Sequence, residues 1–177
     1  MSGIIQTKRL DLIPLSPAVL RAALERDQNK IGRLLGASVP QSWEISRGAL
    51  ELWLRQLEAN PALQPWLARG MVLRSEGQLI GGIGCHSDPF SAPASGLKTV
   101  ELGYNVVEAW RRRGFAQEAI EALIQWASTQ HRVPRFVLSI SPENQPSRAL
   151  AAKMGFQKVG FKIDEQDGHE DIFEKIV

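Results

Sequence analysis

Three consecutive arginines, Arg111, Arg112 and Arg113, stand directly before Gly114, Phe115 and Ala116 in the stretch "EAWRRRGFAQEAIEAL". From Phe115 onward the pattern is that of an amphipathic helix, with Phe115, Ala116, Ala119, Ile120, Leu123, Trp126 and Ala127 on one face and Gln117, Glu118, Glu121 and Gln125 on the other. The segment before the arginines, "TVELGYNVV", reads as a strand, so they occupy a strand-to-helix turn. The first amides of a helix have no intrahelical acceptor, and with the helix dipole they suit a phosphate. Gly114 lets an anion come close to the backbone, and the arginines add positive charge around it. The triplet therefore reads as an anion cradle. A solvated charge run and a nucleic-acid patch are the competing readings, and Glu101, Glu108, Glu118 and Glu121 close by argue against nucleic acid.

Other reactive side chains are sparse. Cys85 is the single cysteine, so no intramolecular disulfide can form, and His86, His131 and His169 are too scattered to suggest a zinc site. No metal is expected. Cys85 itself reads as a small buried residue.

The elements that must position the cradle can be followed along the chain. Gln6 to Leu15 alternates apolar and polar residues and reads as a first strand. Ser16 and Pro17 open a helix, with Leu20, Ala23 and Leu24 at helical spacing. A second helix carries Leu50, Trp53, Leu54 and Leu57 and stops at Asn60 and Pro61. Trp43, Trp53 and Trp66 read as core or pocket wall. Met71 to Leu73 and Gln78 to His86 flank a hairpin turn containing Gly77, and Ser87 to Lys98, rich in Pro, Gly and Ser, reads as a long loop over a substrate. Thr99 to Val107, the arginine-led helix and the continuous apolar run Arg135 to Ile140 make a right-handed strand–helix–strand crossover with parallel strands, the last covered on both faces. A helix from about Pro146 ends at Gly155, and "FQKVGF" and "EDIFEKI" finish as strands. The expected fold is a mixed α/β sheet of about six or seven strands flanked by helices.

The chain has 177 residues, 44% hydrophobic and 23% charged, which suits one soluble globular domain spanning 1–177. No apolar run approaches the roughly 20 residues of a membrane span, and "MSGIIQTKRLDLIPLS" shows no secretory signal, so the expected location is cytoplasmic. A net charge of +2 fits a small anionic ligand and falls short of a DNA-binding face.

Strand, arginine–glycine turn, apolar-faced helix, parallel strand and then "NQPS" before another helix resemble the Gcn5-related N-acetyltransferase superfamily, mixed-sheet enzymes that use acetyl-CoA. The superfamily's acyl-CoA motif is Gln or Arg, two variable residues, Gly, one variable residue, then Gly or Ala; here it is Arg111, Arg112, Arg113, Gly114, Phe115, Ala116. "TKRLDLIPLS", "VELGYNVVEAWRRRGFAQEAI" and "SPENQPSRALAAKMGFQKVG" resemble three blocks of the branch that holds the ribosomal-protein alanine and serine N-terminal acetyltransferases. Together these cover most of the chain outside about Asp27 to Pro65. Glu108 replaces the usual proline, Arg113 stands where a second glycine or a lysine is frequent, and Ile13 replaces a basic residue.

By this resemblance the two crossover strands splay apart around the pantetheine arm of acetyl-CoA. The backbone at Val106 pairs with that arm and polarises the acetyl carbonyl, the amides of Arg112 to Ala116 hold the diphosphate beside Arg111, and Asn144 touches the pantetheine or its neighbouring loop. The acceptor amine is mostly protonated near neutrality. Glu101 is the first candidate to take its proton; the alternatives are that Glu101 orients the amine or pairs with a neighbour. His86 is the second candidate. Ser147 either donates to the departing thiolate or caps the last helix, which Asn144 could also cap, and Tyr104 packs beside the cofactor.

The function implied is acetyl transfer to a primary amine, of a protein N-terminus or a small molecule, by direct attack in a ternary complex. The alternative is a non-catalytic acyl-CoA-binding sensor. No motif identifies the acceptor, no nucleic-acid or membrane partner is expected, and the oligomeric state stays open between monomer and homodimer.

Overall fold

The computed structural model describes residues 3–86, 96–164 and 168–177. Eight strands follow the order β1-β2-β3-β4-β5-β6-β8-β7 in one mixed sheet, one strand more than the sequence suggests. They are β1 (Ile5–Gln6), β2 (Leu10–Pro14), β3 (Ala68–Leu73), β4 (Gln78–Cys85), β5 (Thr99–Val106), β6 (Arg135–Ile140), β7 (Gln157–Asp164) and β8 (Gly168–Ile176). The helices are α1 (Pro17–Leu24), α2 (Gln28–Leu35), α3 (Arg47–Ala59), α4 (Gln64–Leu67), α5 (Phe115–His131) and α6 (Gln145–Lys153). The chain separates into two compact units, Met1–Gly84 with Tyr104–Ala122 and Cys85–Gly103 with Leu123–Val177. Each half of β5 thus belongs to a different unit.

In the first unit β1 to β4 pair antiparallel in chain order. The extra strand arises because the expected strand Gln6 to Leu15 is broken. A turn at Thr7–Arg9 interrupts it: the Thr7 amide donates to the Leu10 carbonyl at 2.9 Å, and the Leu10 amide donates to the Thr7 hydroxyl at 2.8 Å. The turn residues Thr7, Lys8 and Arg9 follow polar Gln6 and include no Gly, Pro, Asn or Asp to mark a turn, which is why the sequence pattern hides it. Ser16 caps α1 as expected, accepting from the Val19 amide. Helix α2 is not expected from the sequence pattern. Asp27 caps it and Gly36 closes it in a left-handed conformation, but it buries only Ile31 and Leu35. These helices cover a core that includes Leu15, Leu20, Leu50, Leu57 and Leu79. Trp43 belongs to it too, its indole N–H donating to the Gly81 carbonyl at 3.3 Å. Arg69 is fully buried, and its guanidinium donates to the carbonyls of Pro65 and Leu12 at 2.9 and 3.1 Å and of Gly3 at 2.5 Å.

In the second unit β5 pairs parallel with β6, and β6 and β7 each pair antiparallel with β8. The β5–β6 ladder pairs Thr99↔Arg135, Val100↔Phe136 and Glu101↔Val137. Strand β6 is covered unequally: Phe136, Leu138 and Ile140 are buried while Arg135, Val137 and Ser139 are partly exposed. The reading of a strand buried equally on both faces fails because Arg135 and Ser139 there meet carboxylates, Glu174 at 2.7 Å and Glu101 at 2.6 Å. Gly77 and Gly155 take the positive φ that their turn and helix end require. The long Ser87 to Lys98 loop lies almost wholly outside the described residues.

Candidate functional site

The arginine turn lies in the first unit, after a short 3-10 turn at Glu108–Trp110. The last backbone amides bonded locally are those of Trp110 and Arg111, to Val107 and Glu108, and the next is that of Glu118, to Gly114. Among the described residues the amides of Arg112 to Gln117 have no hydrogen-bond acceptor, at the start of a 17-residue helix. Arg112 and Gly114 both have left-handed φ, +60° and +80°, the backbone from which amide-lined anion concavities are built. The conformation is natural for Gly114 and costs Arg112 about 1 kcal/mol or more, so the surroundings must impose it.

They do so on both sides. Before Arg112, the Arg111 Nε donates to the Val106 carbonyl at 2.9 Å. After it, the Arg113 carbonyl accepts from Arg9 Nη1 at 3.0 Å. The Arg113 guanidinium lies over Trp110 at 4.8 Å, Trp110 meets Phe115 edge-on at 6.2 Å, and Arg9 covers Phe115 at 4.2 Å. Arg111, Arg112, Arg113 and Gly114 are exposed, Phe115 is buried and Ala116 is half-buried.

Periodicity places Glu118 on the polar outer face of the helix, and here the structure corrects the sequence. Its carboxylate accepts from the Thr7 hydroxyl at 2.5 Å, and from the Arg9 amide and Arg9 Nε, both at 2.7 Å; its side chain is 16% exposed. Burial opposes its ionisation, but the hydrogen bonds of Thr7 and Arg9 and the Arg9 charge outweigh that and hold it below the ordinary carboxylate value.

In the second unit Glu101 is half-buried. One oxygen, Oε1, accepts from the Ser139 hydroxyl at 2.6 Å and from the Lys162 ammonium at 3.2 Å, and Lys162 also reaches Glu170 at 3.3 Å. Burial pulls the Lys162 ammonium down, yet the charge and hydrogen bond of Glu101, then those of Glu170, raise it above its ordinary value. His86 lies just past β4, its amide donating to the Glu101 carbonyl at 2.9 Å; its ring covers Gly103, where a Cβ would meet Nε2 at 1.8 Å. Asn144 caps α6, its Oδ1 accepting from the Ser147 amide at 3.2 Å. Among the described residues the Ser147 hydroxyl has no hydrogen-bond partner, so Asn144, and not Ser147, is the cap. Cys85 is buried. Among the described residues no cluster of His, Cys, Asp and Glu is arranged to hold a metal ion.

Comparison with known proteins gives this geometry its context. Residues 9–157 match the acetyltransferase (GNAT) domain family, most of the chain and all of the turn just described. The chain belongs to the GNAT acetyltransferase family. An uncharacterised N-acetyltransferase of Bacillus subtilis, YoaA, is 33% identical over 161 residues, covering 90% of this chain and 86% of that one. Among solved structures, the ribosomal-protein-S5-alanine acetyltransferase of Vibrio fischeri shares the fold at a TM-score of 0.67 and 18% identity, over 98% of this chain and 96% of that one. RimL, a ribosomal L7/L12 α-N-protein acetyltransferase solved with coenzyme A, shares it at a TM-score of 0.65 and 17% identity, over 98% of each chain.

Within this GNAT chain the structure joins Val106 to Arg111 in one unit and Asn144 to Ser147 in the other, and β5 carries Glu101 in one half and Val106 in the other. Sequence reasoning missed the partners: Arg9, Ser139 and Lys162 contact the candidate residues from distant segments, and Thr7 joins Arg9 on Glu118.

Proposed function

We propose that this protein is an acetyl-CoA-dependent N-acetyltransferase that acts on a primary amine by direct attack, both substrates being bound together on a single domain spanning the whole chain. The observation that carries the reading is the row of unsatisfied amides from Arg112 to Gln117 at the family's acyl-CoA motif. The first amides of a helix have no intrahelical acceptor, and a diphosphate satisfies several at once. Arg111, Arg112 and Arg113 supply the balancing charge.

In this reading the amides of Arg112 to Ala116 hold the diphosphate of acetyl-CoA, the pantetheine runs along β5, and Asn144 borders it. The Val106 amide donates to the acetyl carbonyl oxygen, and a donor so placed contributes about 3 to 4 kcal/mol as charge develops there. Glu101 takes the proton of the acceptor ammonium, directly or through a water. As the thioester C–S bond breaks, the Ser147 hydroxyl donates to the departing sulfur. His86 remains the second candidate for the base, its backbone amide bonded to the Glu101 carbonyl. Lys162, held as an ammonium, is suited to orienting Glu101 and unsuited to accepting a proton. A cytoplasmic location, with its supply of acetyl-CoA, belongs to the same reading.

The deciding experiment follows free thiol release from acetyl-CoA against N-terminal peptides, polyamines, amino acids and aminoglycosides, with coenzyme A binding measured by calorimetry on the same sample. Alanine- and serine-starting peptides come first, because ribosomal-protein acetyltransferases share the fold. Release stimulated by one acceptor class is the expected outcome. Binding without release by any acceptor favours a sensor, and absence of binding overturns the reading.

A further inference from the structure

We propose that Arg9, on the turn between β1 and β2, is a positioning residue that aims the Gly114 amide into the anion cradle and neutralises the carboxylate standing behind it. The proposal rests on the acetyl-CoA reading above.

Two observations carry it. The first is the Arg9 Nη1 bond to the Arg113 carbonyl at 3.0 Å. The peptide joining Arg113 to Gly114 is trans, as no cis peptide occurs, so its N–H points opposite to its C=O. Drawing the Arg113 carbonyl toward Arg9 therefore turns the Gly114 amide away from Arg9, leaving it free to join the unpaired amides that follow in α5. The second is Glu118. Its carboxylate sits in the first turn of α5, where it would compete with any incoming phosphate for the same positive helix end. Arg9 meets it with both its backbone amide and Nε, at 2.7 Å each, and Thr7 adds its hydroxyl at 2.5 Å. The positive end of the helix is then left to a ligand.

The guanidinium is suited to this double task and an ammonium is not. It presents Nε to Glu118 and Nη1 to the Arg113 carbonyl in one rigid plane, and that plane lies 4.2 Å over the Phe115 ring. Its remaining nitrogen, Nη2, sits 3.5 Å from where a Gly114 Cβ would be, so the group packs against the turn at Gly114 itself. The Thr-x-Arg of residues 7 to 9 and the Glu118 just beyond the arginine turn are thus two halves of one device, 109 residues apart between Arg9 and Glu118.

The test measures binding of coenzyme A and of pantetheine, which lacks the diphosphate, to wild type, Arg9→Met, Arg9→Lys, the double variant Arg9→Met with Glu118→Gln, and Gly114→Glu, with circular dichroism confirming the folded state. A device that only stabilised the fold would weaken both ligands alike or neither. The expected result is that Arg9→Met raises the Kd for coenzyme A roughly ten- to a hundred-fold, the scale of a lost charge-assisted hydrogen bond, while the Kd for pantetheine stays unchanged. Arg9→Lys restores only part of this, and Glu118→Gln in the Arg9→Met background recovers some affinity by removing the exposed carboxylate. Coenzyme A affinity unchanged in Arg9→Met, with Gly114→Glu abolishing it, overturns the positioning role and leaves the cradle intact. Should Arg9→Met not fold, Arg9→Lys alone decides: wild-type affinity there overturns the proposal. Wild type that binds no coenzyme A overturns the cradle itself and the proposal with it.

Discussion

The Lys162 ammonium lies 3.2 Å from Oε1 of Glu101, the same oxygen that accepts the Ser139 hydroxyl at 2.6 Å. An ion pair and a base make opposite demands on a carboxylate, and the two are separable by pH. Glu101→Gln removes the proton acceptor and should lower turnover about a hundred-fold at neutral pH. The loss should shrink as pH rises toward the acceptor's own pKa, where the amine no longer needs deprotonating. A pH–rate profile of both proteins checks this, and a loss constant across pH would reassign Glu101 to orienting the amine. Lys162 has its own sign. Its folded value is raised, so its stabilisation is present below the ordinary lysine value of 10.5 and fades as pH rises through the folded one. The stability difference between wild type and Lys162→Met should therefore be constant near neutrality and close in strong alkali.

What the sequence made legible was local. The proposed cradle depends on amides of adjacent residues in one strand–turn–helix, and the cap of the last helix lies within one short segment, so the local pattern pointed to the first and narrowed the second to Asn144 or Ser147, of which Asn144 is the cap. The partners that set the chemistry come from elsewhere: Arg9 reaches Glu118 across 109 residues, and Lys162 reaches Glu101 across 61. No periodicity encodes such pairs, and a helical wheel turns Glu118 outward because it counts faces of one helix and not what packs on them. Helix α2 escaped for another reason. It buries only Ile31 and Leu35, so its apolar stripe is too thin to stand out, although Asp27 and Gly36 mark both its ends.

Ser147 offers a cleaner separation of function from structure. Its amide is capped by Asn144 and its hydroxyl caps nothing, so Ser147→Ala should leave the melting temperature nearly unchanged. Turnover should fall while the Kd for coenzyme A holds, if the hydroxyl serves the departing thiolate. Asn144→Ala should instead cost about 1 kcal/mol of stability through the lost cap. Paired melting and rate measurements on the two variants decide the matter, and unchanged turnover in Ser147→Ala would remove it from the mechanism.

Two glycines of β4 should respond differently to the same change. A Cβ at Gly84 would lie 1.7 Å from the Leu67 carbonyl oxygen, backbone against backbone, so Gly84→Ala should destabilise by roughly 1 to 3 kcal/mol or more and lower the melting temperature by several degrees. A Cβ at Gly81 would lie 2.3 Å from the Asn105 carbonyl oxygen and 3.2 Å from the Val106 Cα. Gly81→Ala must therefore push β5 where Val106 is proposed to meet the acetyl group. The folded fraction of Gly81→Ala should show reduced turnover per molecule, whereas folded Gly84→Ala should retain it.

Asp171 on β8 is 2% exposed and gathers Arg148, Lys158 at 2.7 Å and His169 at 3.3 Å. The Lys158 hydrogen bond is the strongest influence on its carboxyl; burial opposes ionisation, Arg148 and His169 favour it, and the result is a value lowered to about 2. Because the folded value lies below the unfolded one, the stabilisation is complete above about pH 4 and is lost as pH falls through about 2. Asp171→Asn keeps the shape and removes the charge, leaving Arg148 and Lys158 facing each other without a counter-ion. It should melt well below wild type at pH 7. The gap should narrow progressively between about pH 4 and 2, where wild type gives up what the variant never had. Thermal melts of both proteins across that range check the sign, and a gap that widened in acid would mean that the buried carboxylate is held protonated instead.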